Sequence, residues 1–155
     1  MSDPRDETAI RKTLVVDAPA ERAFRVFSEN IGAWWPKEHH IGASPLRTCV
    51  IEPRVGGRWY EIGEDGSHCE WGKVLAWDPP RRLLLAWQLD ASFKHDALLI
   101  TEVEVSFTVL DPKRTRVDFE HRNLDRFGAE ATRLRKLMGD GWSGILESFT
   151  RAARS

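Results

Sequence analysis

The chain has 155 residues, which fits one domain, with 41% hydrophobic and 30% charged residues and a formal net charge of -1. No basic excess marks a nucleic-acid or anionic-membrane partner, and no apolar run approaches the roughly 20 residues that cross a bilayer, so no membrane insertion is expected. The polar start, Met1 to Thr13, lacks the apolar core of a signal peptide, and Cys49 and Cys69 are too few for a disulfide framework; free thiols and a cytoplasmic location are expected.

Met1 to about Thr8 reads as a flexible tail, leaving a core of about residues 10–153. Ile10 to Val16 alternates loosely and reads as a strand. Asp17-Ala18-Pro19 starts a helix, with proline tolerated in its first turn and Asp17 near its positive end. Ala20, Ala23, Phe24 and Phe27 make its apolar stripe at i, i+3, i+4 and i+7. The spacing ends this helix near Asn30-Ile31-Gly32, and a second helical turn, Ala33-Trp34-Trp35, stops before Pro36. Lys37 to Leu46 is a long loop by composition, and long ordered loops are often functional. Arg47 to Glu52 reads as a strand closed by Pro53, and Val55-Gly56-Gly57 as a turn or bulge.

Gly56 to Asp90 carries four of the seven tryptophans, Trp59, Trp71, Trp77 and Trp87, and the single tyrosine, Tyr60. Gly63-Glu64-Asp65-Gly66 and Asp78-Pro79-Pro80 divide it into three strands of an antiparallel meander. Bulky indoles interleaved with Glu61, Glu70 and Gln88 suit a cavity wall better than a close-packed interior. After an exposed connection at Ala91 to Asp96, Thr101 to Val109 places Val103, Val105, Phe107 and Val109 on one face. Beyond the Asp111-Pro112-Lys113 turn, Arg116 to His121 places Val117, Phe119 and His121 inward. Asn123 to Met138 is helix-like but irregular. Gly139-Asp140-Gly141 interrupts it, Asp140 serves as a new N-cap, and Trp142, Ile145, Leu146 and Phe149 form the apolar face of a closing helix. The expected fold is α+β: a curved antiparallel sheet with two short helices and a terminal helix over a cavity.

Five stretches carry a family resemblance: Val16 to Phe24, Trp34-Trp35-Pro36, Glu52 to Trp59, Gly72 to Trp87, and Gly141-Trp142. With them the chain, from about Ile10 to Ala153, resembles the SRPBCC or START-like superfamily, and within it the activator of heat-shock protein 90 ATPase-like group. The resemblance implies a helix-grip (Bet v-like) fold with a ligand cavity under a long C-terminal helix, but no single activity, because the superfamily includes lipid carriers, hormone receptors and polyketide cyclases. The co-chaperone that names the group engages its chaperone through a further N-terminal domain for which these 155 residues have no room, so chaperone activation is not expected.

The candidate ligand-binding residues are Trp34, Trp35, Trp59, Glu61, Glu70, Trp71, Trp87, Phe107, Phe119, His121 and Trp142. Indoles offer large apolar contacts and one N–H donor each. Glu70 and His121 are the candidate acid–base pair, although no nucleophile–base–orienter triad is legible and a bulge at Gly72 would turn Glu70 to the opposite face. Arg47, Arg58 and Arg122 are read as surface-pair residues. His39-His40, Cys49 and His68-Cys69 lack zinc spacing, and no nucleotide fingerprint occurs, so no metal and no cofactor is expected. The expected function is a binding module for a small hydrophobic or amphipathic ligand, as a monomer or homodimer. The alternatives are a cyclase- or hydrolase-like enzyme on a small aromatic or polyketide-type substrate, and an interaction module for a chaperone or regulator.

Overall fold

A computed structural model describes residues 8–154, so the tail expected before Thr8 lies outside it. Seven strands form one antiparallel sheet: β1 (Ile10–Val16), β2 (Leu46–Ile51), β3 (Arg58–Gly63), β4 (His68–Asp78), β5 (Arg82–Trp87), β6 (Thr101–Asp111) and β7 (Arg114–Arg122), in the order β1-β7-β6-β5-β4-β3-β2. The sheet is curved, and its concave face holds α3 (Ala131–Ala153), entered through a 3-10 turn at Leu124–Glu130. Two short helices, α1 (Ala20–Phe27) and α2 (Ile31–Trp34), bridge β1 and β2.

Strict alternation makes the inner face. Val103, Val105 and Phe107 on β6 and Val117, Phe119 and His121 on β7 are all buried, as their parity predicts. Val109 departs from this: it is 63% exposed, because β6 runs past the cover of the helices toward a hairpin whose register shifts between Val109 and Asp111. On the outer face Arg122 reaches Glu102, Glu104 and Glu120, while Arg82 pairs with Glu104 and Arg11 with Glu120, tying β1, β7, β6 and β5 together.

The closing helix differs from the expectation. Gly139-Asp140-Gly141 does not interrupt it; α3 runs unbroken through all three. Asp140 is no cap: it lies mid-helix, exposed, 3.7 Å from Lys136. Each glycine costs a helix roughly 1 kcal/mol, but Leu134, Met138, Trp142, Ile145, Leu146 and Phe149 hold one buried stripe across the glycines, and that packing outweighs the propensity. Both ends of the helix are tied: Arg135 Nε donates to the Thr8 carbonyl, Ser148 Oγ to the Trp34 carbonyl, and Arg22 Nε to the Ala153 carbonyl at 2.9 Å, where a cation suits the negative helix end.

Candidate functional site

One irregularity in the meander decides which side chains meet α3. Trp59 pairs with Gly72, but the next residue, Tyr60, pairs with Glu70, so Trp71 is the extra residue of a β-bulge. Counting back from buried Val74 and Gly72, an unbroken β4 would send Glu70 inward. The bulge instead turns Trp71 and Cys69 inward and Glu70 outward. Gly72 is required there, since a Cβ would stand 1.7 Å from the Ala86 carbonyl oxygen. Glu70 therefore does not face the cavity: its carboxylate pairs with Arg58, whose guanidinium lies 3.8 Å from the centre of the Tyr60 ring. Both the ligand-binding and the acid–base readings of Glu70 are corrected by this geometry.

The space under α3 is an open pocket of about 310 Å3. Trp71, Trp87 and Leu89 form its sheet side, Met138, Gly141, Trp142 and Ile145 its helix side, and Trp35, His39, His40 and Ile41 a third wall, with Glu38, Leu137 and Phe93 at its borders. Two other hollows, of about 390 and 380 Å3, lie on the outer sheet face near Arg11, Glu104 and Asp118 and between β1 and α3 beside Lys12, Glu147 and Arg151; the charged side chains along both do not resemble a site for an apolar molecule.

Four of the pocket residues close a ring with a fifth indole. Trp35 lies 5.0 Å from Trp71 and 5.9 Å from Trp142, Trp142 lies 5.7 Å from Trp87, and Trp59 completes the circle at 5.6 Å from Trp87 and 5.5 Å from Trp71. Trp59 is buried and does not line the pocket. Trp34 packs instead on Phe27 and Phe149, Phe107 on Phe24 and Phe27, and Phe119 lies 4.6 Å from Trp142, so these three belong to the core around the pocket. Three pocket indoles spend their N–H inside the protein: Trp35 on the His39 carbonyl, Trp71 on Glu61 and Trp142 on His121. The Trp87 N–H is buried without an acceptor among the described residues.

Glu61 faces inward as expected but does not line the pocket. Its buried carboxylate accepts from the Ile41 N–H at 2.7 Å, the Gly42 N–H at 3.1 Å and the Trp71 indole at 2.9 Å. It pins the loop between α2 and β2 onto the sheet and so builds the third wall. The approach is close: a Cβ on Gly42 would come within 3.1 Å of both Glu61 and Cys69. Cys49 and Cys69 flank Glu61 on the neighbouring strands, and burial, then the Glu61 charge, raises both thiol pKa values above the ordinary range. Neither is poised as a nucleophile.

His121 is fully buried between Trp87 and Trp142 and behind the pocket wall. The Trp142 indole donates to Nδ1 at 3.2 Å, so the proton of the neutral ring sits on Nε2 and is donated to Thr101 Oγ1 at 2.8 Å. Burial pushes its pKa down to about 3. With both nitrogens used and no route to the pocket, His121 is a structural group and not an acid–base residue. Its depressed value has a linkage consequence. The unfolded chain gains this proton near pH 6.5 and the folded one refuses it until about pH 3, so the stability contribution is full above pH 6.5 and is lost as pH falls. Urea unfolding at pH 6.5 and pH 5 should show wild type losing about 1.5–2 kcal/mol more than His121→Gln. Equal losses in the two proteins would contradict the buried neutral ring.

Pattern reading missed His39, His40, Ile41, Leu89, Phe93, Leu137 and Met138 as pocket residues. Loop length was the one signal that pointed to the first three. Phe93 had none: it sits in the left-handed region at φ 59, a conformation that a bulky residue adopts only under constraint. Among the described residues, no group of three or more His, Cys, Asp or Glu side chains is placed to hold a metal, and no helix is long and apolar enough to cross a membrane.

A curved antiparallel sheet gripping a C-terminal helix over an apolar pocket defines the helix-grip class of the SRPBCC superfamily. The chain belongs to the family described as activator of Hsp90 ATPase homolog 1-like protein, whose model matches residues 17–154. Among solved structures it is similar to the anthrahydroquino-gamma-pyrone synthase Txn09, solved as a complex, at 36% identity over 84% of this chain and 86% of that one, with a TM-score of 0.61. It is also similar to the self-sacrificing resistance protein CalC of Micromonospora echinospora, at 31% identity over 94% and 93% of the two chains, with a TM-score of 0.70. The Aha1 dimer of Colwellia psychrerythraea, at 17% identity over 94% and 96% with a TM-score of 0.65, shares the fold. No curated protein matches the chain in sequence.

Proposed function

We propose that this protein is a binding module for a small, flat, largely apolar molecule held between the sheet and α3. The observation that carries the reading is the wall of Trp35, Trp71, Trp87 and Trp142 around a space of about 310 Å3. That volume lies at the lower end of ligand pockets, which run from roughly 300 to 1,000 Å3. Because three of those indoles have committed their N–H groups, they offer mainly ring carbon to a guest, and stacked aromatic surfaces suit an aromatic one. Titration with two- and three-ring aromatics should change the tryptophan emission in a saturable way. Emission that stays flat across the panel would overturn the reading.

One observation favours a second reading, a cyclase-like enzyme acting on a small aromatic substrate: the similarity at 36% identity to a protein described as a synthase. In that case the chemistry would fall to Glu38, His39 and His40 at the pocket wall, since Glu70 points outward and His121 is sealed. Conversion of a bound aromatic, lost in a variant of these loop residues that still binds it, would select the enzyme.

A further inference from the structure

We infer that His40 is the polar contact of the pocket, a hydrogen-bond acceptor for an acidic hydroxyl on the bound molecule, which makes the ligand an aromatic phenol or enol. This rests on the binding reading above and narrows its ligand class. The half-buried imidazole is part of the pocket wall, and its Nδ1 lies 2.9 Å from the Gly42 carbonyl oxygen. A carbonyl can only accept, so Nδ1 carries the proton of the neutral ring and Nε2 carries the lone pair. The carbonyl that sets this tautomer is itself fixed, because the same residue's N–H and its neighbour's are held by the buried Glu61 carboxylate. The chain Glu61, Gly42, His40 thus orients an imidazole at the pocket wall with one uncommitted nitrogen, which is a basic acceptor.

The rest of the lining sharpens the point. Trp35, Trp71 and Trp142 have no free polar atom, and the unpaired Trp87 N–H is buried and can only donate. The Glu38 carboxylate lies exposed at the border, and His39, which meets Trp35 edge-on, has no comparable anchor to fix its tautomer. A guest O–H would therefore find its preoriented acceptor at His40. A hydroxyl on an aromatic ring or enol is the donor that matches both the acceptor and the indole walls, and its acidity strengthens the bond to imidazole.

The test compares 2-naphthol with 2-methoxynaphthalene, which share a ring system but differ in the O–H. Binding is followed by NMR titration at about pH 8, where free imidazole is neutral. His40→Asn keeps a side-chain N–H for the Gly42 carbonyl and removes the acceptor at the Nε2 position. The ratio of naphthol to ether affinity is expected to fall about fivefold in this variant, the worth of one net hydrogen bond. His40→Gln, whose amide oxygen reaches where Nε2 stood, should restore part of the ratio. An unchanged ratio in His40→Asn overturns the inference while leaving an aromatic-binding pocket intact. Failure of both naphthalenes to bind the wild type removes the binding reading, and this inference with it.

Discussion

Trp142→Ala is expected to destabilise the protein by roughly 3–5 kcal/mol, the usual cost of emptying a buried aromatic site. The indole is 2% exposed, sits 4.6 Å from Phe119, and links Trp35 to Trp87 in the indole ring. Its removal also strips the donor from His121 Nδ1. For a chain of this length the melting temperature should fall by roughly 10 °C. Trp142→Phe keeps a six-membered aromatic ring in the site and loses the pyrrole part of the indole with its hydrogen bond, so it should fall less. A urea midpoint unmoved by Trp142→Ala would place the ring outside the core and contradict the grip of the sheet on α3.

Glu61→Ala is expected to act in two places at once. Three N–H groups lose their acceptor, at roughly 1–3 kcal/mol for each that stays buried. Ile41 and Gly42 can swing into solvent, whereas the Trp71 indole, at 2% exposure, cannot. The net loss should be about 2–4 kcal/mol, less than the sum, because the cost of burying a charge also disappears. The second effect is local. With the loop unpinned, the wall made by His39, His40 and Ile41 opens, and amide exchange at Ile41 and Gly42 should rise toward the rate of an exposed loop. Aromatic binding should weaken in the same variant. Amides that keep their wild-type protection would show that something other than Glu61 holds the loop.

These two residues also mark how far pattern reading reaches. Alternation along β6 and β7 placed Val103, Val105, Val117, Phe119 and His121 correctly, because period-two burial is a local property of each strand. The helical stripe of Ala20, Ala23, Phe24 and Phe27 was legible for the same reason. Glu70 was not, since one extra residue at Trp71 inverts the parity of everything before it, and a bulge has no hydrophobic signature of its own. The continuity of α3 was hidden by Gly139 and Gly141, whose propensity argues for a break that the surrounding packing overrides. The role of Glu61 depends on contacts to residues 19 and 20 positions away, and only the folded chain brings those together. Among the tryptophans, composition identified the aromatic set, but separating Trp35 and Trp142, which face the pocket, from Trp34 and Trp59, which sit in the core, required their three-dimensional neighbours.

The central claim is that the indole-walled space takes up a small aromatic molecule, and the most direct measurement is the naphthol titration read through the seven indole N–H resonances in one spectrum. The account predicts saturable shifts of the Trp35, Trp71, Trp87 and Trp142 signals. Trp77, which packs on Phe24 away from the pocket, should stay still, and Trp34, bonded to the Val26 carbonyl, should move little. Shifts confined to Trp77, or spread evenly over all seven signals, would contradict it.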